Sequence, residues 1–142
     1  MKKTFILLYI SLILLSCQKE ENNKIYEYQV LPSENAFKPF SCFGEKRTIT
    51  VTIIQKTLID DILDSEVPII PKDVLVEFDK ALFSDIETKV EGGQVILNIT
   101  SNINKEDKML NGDLRISYST INGIKVEKIP LIIDKGKLTF LY

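Results

Sequence analysis

Hydrophobic and polar residues alternate along several short stretches of this chain, and a period of two is typical of β-strands with one buried face. Residues 48–54 show it most clearly, because Ile49, Val51 and Ile53 fall on one side of an extended chain and threonines on the other. The other alternating stretches are residues 26–30, 74–78, 86–90, 95–100, 114–118, 125–133 and 138–142. The pattern therefore predicts seven or eight short strands.

Glycine, asparagine and proline mark the connections between these strands. Turn signals are found at residues 91–94 (EGGQ), at Asn111-Gly112 and at Asn122-Gly123. Pro130 marks the strand over residues 125–133 as an edge strand or a bulge. No long helix is predicted after the first 16 residues, so we expect an all-β fold. An antiparallel β-sandwich is favoured, with a barrel as the alternative.

The segment over residues 56–73 does not follow the period of two. Four of its apolar residues also fit a helical spacing, namely Leu58, Ile59, Ile62 and Leu63. We therefore expect a long connection here, with one helical turn near residues 58–63. Pro68 and Pro71 would end that turn, because proline cannot continue a helix.

Three other segments are expected to be irregular. Phe37, Phe40 and Phe43 lie near a proline and a glycine, and we expect their rings to close one end of the core. Residues 80–85 are expected to form a turn region that contains Leu82 and Phe83, and residues 102–111 a polar, charged loop.

The first 16 residues have the order of a secretory signal peptide. Lys2 and Lys3 precede an apolar run at residues 5–15, which is too short to span a bilayer as a mature helix. The run ends on Leu-x-Ser followed by Cys17, and this closely resembles the lipobox of bacterial lipoproteins. The resemblance implies cleavage before Cys17, lipidation of its thiol with acyl chains such as palmitate, and attachment to a membrane.

The residues after Cys17 are polar and predict a solvated tether over residues 17–24, before a folded domain at 25–142. Gln18-Lys19-Glu20-Glu21 resembles the export signal that sends Bacteroidetes lipoproteins to the outer face of the outer membrane. Localisation on the cell exterior is the expectation from that resemblance. The alternative is that these acidic residues belong to an ordinary polar tether.

Charge and composition exclude several classes of function. Without residues 1–16 the chain has 126 residues, with 16 basic and 20 acidic side chains, so a nucleic-acid or polybasic membrane surface is not expected. The chain contains no histidine, which removes the commonest general base and metal ligand. A non-enzymatic protein without a cofactor is therefore the expectation.

A family resemblance covers about residues 40–133. The stretches FGEKRTITVTI (43–53), VILNITSN (95–102) and NGDLRISYS (111–119) resemble, in their order, the immunoglobulin-like BACON domains of Bacteroidetes surface lipoproteins. The chain departs from that pattern in lacking tryptophan and in having Leu110 where the family has arginine. The resemblance implies a single immunoglobulin-like antiparallel β-sandwich.

An acidic cluster and a cysteine are the candidate sites for chemistry. The cluster consists of Asp60, Asp61, Asp64 and Glu66. It is interpreted as a solvated loop; a Ca²⁺ site and a pair of catalytic carboxylates are the alternatives, and its spacing builds neither. Cys42 has no partner once Cys17 is assigned to lipid, and its neighbours Phe40 and Phe43 favour a buried free thiol. An intermolecular disulfide or a reactive thiol stays open.

Two tyrosines bear on a second functional class. Tyr26 and Tyr28 lie on the same side of a predicted strand and are expected in the core; on the other side of the fold they would form a sugar-stacking platform. The favoured function is a lipid-anchored surface module for protein binding, adhesion or structural display. The alternative is a glycan-binding accessory lipoprotein of a polysaccharide-uptake system.

Overall fold

Two antiparallel β-sheets contain the strands of residues 23–136, which are the residues that this computed structural model describes. Predictions for the signal peptide, Cys17, residues 18–21 and the strand at 138–142 lie outside the described residues. The strands are β1 (Lys24–Pro32), β2 (Lys46–Ile59), β3 (Ile62–Ile69), β4 (Leu75–Glu77), β5 (Phe83–Glu91), β6 (Gln94–Ser101), β7 (Leu110–Thr120) and β8 (Gly123–Ile133).

The strand orders are β1-β2-β6-β5 in the first sheet and β4-β7-β8 in the second. Strand β3 also pairs with β2, beside the end of β6. One 3₁₀ turn, Glu34–Phe37, follows β1, and residues 23–136 contain no α-helix. The prediction of an all-β, antiparallel fold is therefore confirmed.

The alternating residues form the core between the two sheets. Ile49, Val51 and Ile53 of β2 are buried as predicted, and they belong to one hydrophobic cluster with Leu114 and Ile116 of β7. Packing of this kind, with inward residues from two antiparallel sheets, is that of a β-sandwich. Thr48, Thr50 and Thr52 of β2 lie on its opposite face.

Phe40 joins the two sheets after β1 has ended. Its N–H donates to the Ile132 carbonyl at 2.7 Å, and its carbonyl accepts from the Asp134 N–H at 2.8 Å, so the segment pairs in parallel with the end of β8. The Phe40 ring is fully buried, packs edge-on against Phe83, and lies under the Arg47 guanidinium at 4.1 Å.

The expectation that three phenylalanines close the core is wrong for two of them. Phe37 is 60% exposed and Phe43 is 66% exposed. In an irregular segment, a spacing of three residues does not fix a common face. Only Phe40 is placed inside, because its backbone is paired with β8.

Two of the three predicted turns are confirmed. Glu91 pairs with Gln94 across a hairpin whose Gly92 and Gly93 have φ of +59° and +77°. The β7–β8 turn falls at residues 121–122, next to Gly123. In contrast, the turn predicted at Asn111-Gly112 is wrong, because both residues pair with β8 inside β7.

Gly112 is required there for another reason than a turn. A Cβ at this position would overlap the Leu82 side chain, so glycine lets β7 pass close beneath that residue. The turn region predicted over residues 80–85 is also too long, since Phe83 already begins β5 and is fully buried.

The long connection with a helical turn predicted over residues 56–73 is wrong. Strand β2 continues to Ile59, turns at Asp60 and Asp61, and returns as β3. Both aspartates have positive φ, +50° and +64°, which forms a tight two-residue hairpin turn. Aspartate tolerates this left-handed conformation better than most residues do.

Candidate functional site

A three-stranded extension of the first sheet is the main candidate surface. The first half of β2 (46–52) pairs with β6, whereas its second half (53–59) pairs with β3 and has β1 on the other side. We name residues 24–30, 53–59 and 62–69 the arm. It extends the sheet beyond the β5–β6 turn, which lies opposite Thr52.

The register of the arm places three aliphatic residues in one row on its outer face. Ile25 pairs with Leu58, and Leu58 pairs with Leu63, so these side chains are cross-strand neighbours. They face away from the core because Ile53, at the opposite parity in β2, faces inward. Ile25 is 38% exposed and Leu63 is 52% exposed.

Charged residues adjoin this aliphatic row on two sides. The next cross-strand row consists of Glu27, Lys56 and Glu66. Asp60 and Asp61 form the turn at the tip, and Asp64 lies at the β3 irregularity between Leu63 and Ser65. All five carboxylate residues are exposed. The surface is therefore apolar in the middle and acidic around it.

The structure does not gather the four acidic residues of the predicted cluster around one point. Asp60 and Asp61 lie at the turn, while Glu66 lies beside Lys56 on the outer face. Within residues 23–136, no group of three or more cysteine, aspartate or glutamate side chains is arranged to hold a metal ion. The residues instead give the arm its negative charge.

The tip of the arm is tied to the start of the described chain. The Asp60 N–H donates to the Asn23 carbonyl at 3.2 Å, and the Asn23 N–H donates to the Asp60 carboxylate at 3.4 Å. Cys17 precedes Asn23 by six residues. The described chain therefore enters β1 at the tip of the arm.

Cys42 is buried, at 6% exposure, and makes no disulfide within the described part of the chain. Its carbonyl accepts from the Asn104 N–H at 2.8 Å. Asn104 is itself buried, and its side-chain amide donates to the Lys108 and Asp134 carbonyls at 2.8 Å each. Cys42 thus lies in a hydrogen-bonded loop junction.

Two tyrosine rings join the edge strand β1 of the first sheet to the central strand β7 of the second. The Tyr28 hydroxyl donates to the Gln55 side-chain oxygen at 3.3 Å, and the Tyr28 ring packs edge-on against Tyr118 at 6.4 Å. Burial raises the pKa of the Tyr118 phenol, and the nearby Glu127 carboxylate raises it further. Both causes oppose ionisation of the Tyr118 phenol.

The gap between β1 and β8 is bridged by side chains. The Lys125 ammonium donates to the Tyr28 carbonyl at 2.7 Å, and the Asn122 amide donates to the Tyr26 carbonyl at 3.1 Å. An open cavity of about 410 Å³ lies here, lined by Tyr26, Glu27, Tyr28, Thr120, Asn122, Ile124 and Lys125. The structure places Tyr28 in the core and leaves Tyr26 half-buried at the cavity.

Sequence reasoning missed a second cavity, at the edge of the second sheet. It measures about 360 Å³ and is lined by Glu77, Phe78, Asp79, Gly112, Asp113 and Arg115. Its charged residues come from two distant parts of the chain, and only the β4–β7 register, which pairs Glu77 with Arg115, brings them together. No local motif signals that pairing.

No helix among residues 23–136 is long and apolar enough to cross a membrane. Comparisons of the chain with protein-family models, with curated proteins and with solved structures found no match. The functional assignment therefore depends on the arm, the cavities and the sequence signals.

Proposed function

We propose that this protein is a lipid-anchored, non-enzymatic surface module that binds a partner protein through the arm. The observation that carries the proposal is the aliphatic row of Ile25, Leu58 and Leu63 on a sheet extension, in which Ile25 and Leu63 are exposed. Exposed apolar patches with a polar surround are typical of protein–protein interaction sites.

The proposed domain type is an immunoglobulin-like sandwich of the BACON kind. The orders β1-β2-β6-β5 and β4-β7-β8 support it, because they match the A-B-E-D and C-F-G orders of that fold when β3 is left out. In this comparison β3 is an additional strand between strands B and C.

The proposed address is the outer membrane, with the domain facing the cell exterior. The lipobox-like sequence before Cys17 and the Gln18-Lys19-Glu20-Glu21 segment support this proposal. Labelling cells with a palmitate analogue tests the anchor: the wild type is expected to incorporate it, and Cys17→Ser is not. Labelling of both proteins to the same extent would contradict an anchor at Cys17.

Surface display is tested by protease treatment of whole cells. We expect the wild type to be digested, and a variant carrying Lys19→Ala, Glu20→Ala and Glu21→Ala to be protected inside the outer membrane. A periplasmic protein, digested only after lysis, is the control. Equal protection of both forms would contradict the proposed export signal.

Partner binding is tested by in-cell photocrosslinking with a benzophenone amino acid in place of Leu63. A matched control replaces Val90, an exposed apolar residue on β5 at 41% exposure. A discrete adduct specific to position 63, whose partner then binds the purified protein, is expected. The same adducts at both positions, or a hydrolytic activity that Asp60→Asn abolishes, would contradict the proposal.

Glycan binding is the second candidate, favoured by the half-buried Tyr26 ring at the cavity between β1 and β8. Two groups with donors there, Asn122 and Lys125, already bond to β1 carbonyls. A glycan array tests it. Binding that Tyr26→Ala abolishes would support this candidate, and no binding to host or dietary polysaccharides would count against it.

A further inference from the structure

We infer that the partner of the arm is a protein of the same membrane whose contact surface has an apolar centre and a lysine- or arginine-rich rim. This inference rests on the proposed function and adds the chemistry and position of the partner. It follows from the charge of the arm, the aliphatic row and the place where the chain enters β1.

The aliphatic row supplies the apolar centre of the contact. Leu58 is half-buried between its neighbours, whereas Ile25 and Leu63 present their side chains to solvent on either side of it. Truncating one side chain in the row therefore changes contact area without opening the core.

The charges around the row select the partner. Five exposed carboxylates surround it, those of Glu27, Asp60, Asp61, Asp64 and Glu66. The basic residues of the arm are Lys24 and Lys56. Since complementary rims accelerate and orient association, a basic rim is the matching chemistry.

The same charges disfavour two other occupants. An anionic lipid surface would be repelled by the carboxylates before the aliphatic row could reach it. In a twofold contact between two copies, the same patch meets itself, so the excess negative charge of one copy would face that of the other. A second copy is therefore a poor match for the acidic rim.

The tether places this contact close to the bilayer. Six residues beyond Cys17 the chain reaches Asn23 at the tip of the arm. A fully extended chain of that length spans about 20 Å. With Cys17 anchored, the tip of the arm stays within that distance of the membrane surface, which favours a partner protein embedded in or attached to the same membrane.

The test uses the full lipoprotein, purified from membranes into phosphatidylcholine nanodiscs, with an environment-sensitive fluorophore on Leu63→Cys. Val90→Cys is the matched control position, and wild type treated in the same way reports labelling of Cys42. The probes are two nine-residue peptides, one alternating valine with lysine and one alternating valine with glutamate.

We expect the valine–lysine peptide to shift the emission at position 63 and not at position 90. Its affinity should fall about tenfold between 0.05 and 0.5 M NaCl, because salt screens exposed charges. The neutralised variant Asp60→Asn, Asp61→Asn, Glu66→Gln should lose that salt dependence. Asparagine tolerates positive φ, so the hairpin turn is retained.

Four results would overturn the inference. They are equal shifts with the valine–glutamate peptide, no shift with either peptide, an emission shift on anionic vesicles without peptide, and concentration-dependent dimers that Leu63→Ser dissolves. Acylation of Cys17 distinguishes failure of the proposed function from failure of this inference. If Cys17 is not acylated, the proposed anchoring fails, but the same peptide measurement in detergent still tests the binding chemistry of the arm.

Discussion

Leu58 of β2 lies directly opposite Leu63 of β3, on the same face of the arm. One pair closer to the turn, Ile59 lies opposite Ile62. The two pairs are symmetric about Asp60 and Asp61, so their sequence separations are five and three residues. Leu58 and Ile62 are four residues apart along the chain, as are Ile59 and Leu63, and four is a helical spacing. The apolar pattern therefore predicts a helical turn where a hairpin forms.

The hairpin turn can be tested by replacing Asp61, whose φ is +64°, with residues that differ in how well they adopt positive φ. Asp61→Val is expected to destabilise the protein by about 1–2 kcal/mol, because a β-branched residue is strained at positive φ. Asp61→Gly is the matched control and should be neutral or stabilising. Urea unfolding measures both, and an equal loss in both variants would contradict a conformational cause.

The cross-strand contact between Leu58 and Leu63 should be measurable as a coupling. A double-mutant cycle with Leu58→Ala and Leu63→Ala is expected to give a coupling free energy of about 0.2–1 kcal/mol, the usual range for such cross-strand pairs. The cycle of Leu58→Ala with Val90→Ala serves as the distant control and should be additive. Additivity in both cycles would contradict the register of the arm.

A side chain at position 112 is expected to destabilise the wild-type protein. Gly112→Ala should destabilise the protein by about 1–3 kcal/mol, because its Cβ overlaps Leu82. The same substitution in a Leu82→Ala background should cost less. Thermal unfolding of the four proteins measures the difference, and an unchanged cost would show that backbone conformation, and not Leu82, requires glycine.

The two phenylalanines Phe40 and Phe37 provide a matched pair for the core. Phe40→Ala is expected to cost about 3–5 kcal/mol, since its side chain is fully buried. Phe37→Ala, at 60% exposure, should stay within about 0.5 kcal/mol of the wild type. Similar losses in the two variants would contradict the placement of Phe40 between the sheets.

Tyr118 is expected to resist ionisation at alkaline pH. Burial and the Glu127 carboxylate both raise its pKa, so the phenol should stay protonated above pH 10, where an unperturbed tyrosine has titrated. The stabilisation linked to this shift is complete below about pH 10 and is lost as the pH rises through the folded-state pKa. The reason is that the unfolded state releases the proton first.

The ¹³Cζ resonance of Tyr118 in labelled protein measures this behaviour, and Tyr118→Phe assigns it. Glu127→Gln should lower the pKa, yet leave it raised, because burial is the larger cause. Titration of the wild-type resonance at the ordinary pKa of tyrosine would contradict the buried position.

Most strands of this protein follow from the local sequence pattern, whereas β3 and the last residues of β2 do not. Alternation at positions such as Ile49, Val51 and Ile53 reports burial directly, because side chains of a strand point to opposite faces in turn. Gly92 and Gly93 likewise predict the β5–β6 turn from local sequence, because glycine readily adopts the positive φ that the turn requires. Pro130 predicts an edge strand or a bulge from local sequence alone, and β8 is an edge strand of the second sheet.

The pairing of the strands, and with it the candidate surface, depends on contacts between distant segments of the chain. The aliphatic row depends on the register of Ile25, Leu58 and Leu63, set by hydrogen bonds between segments far apart in the chain. The need for glycine at position 112 likewise arises from a residue distant in the chain, Leu82. Period and turn propensity are local quantities, whereas register and close packing are relations between segments, and no local pattern encodes them.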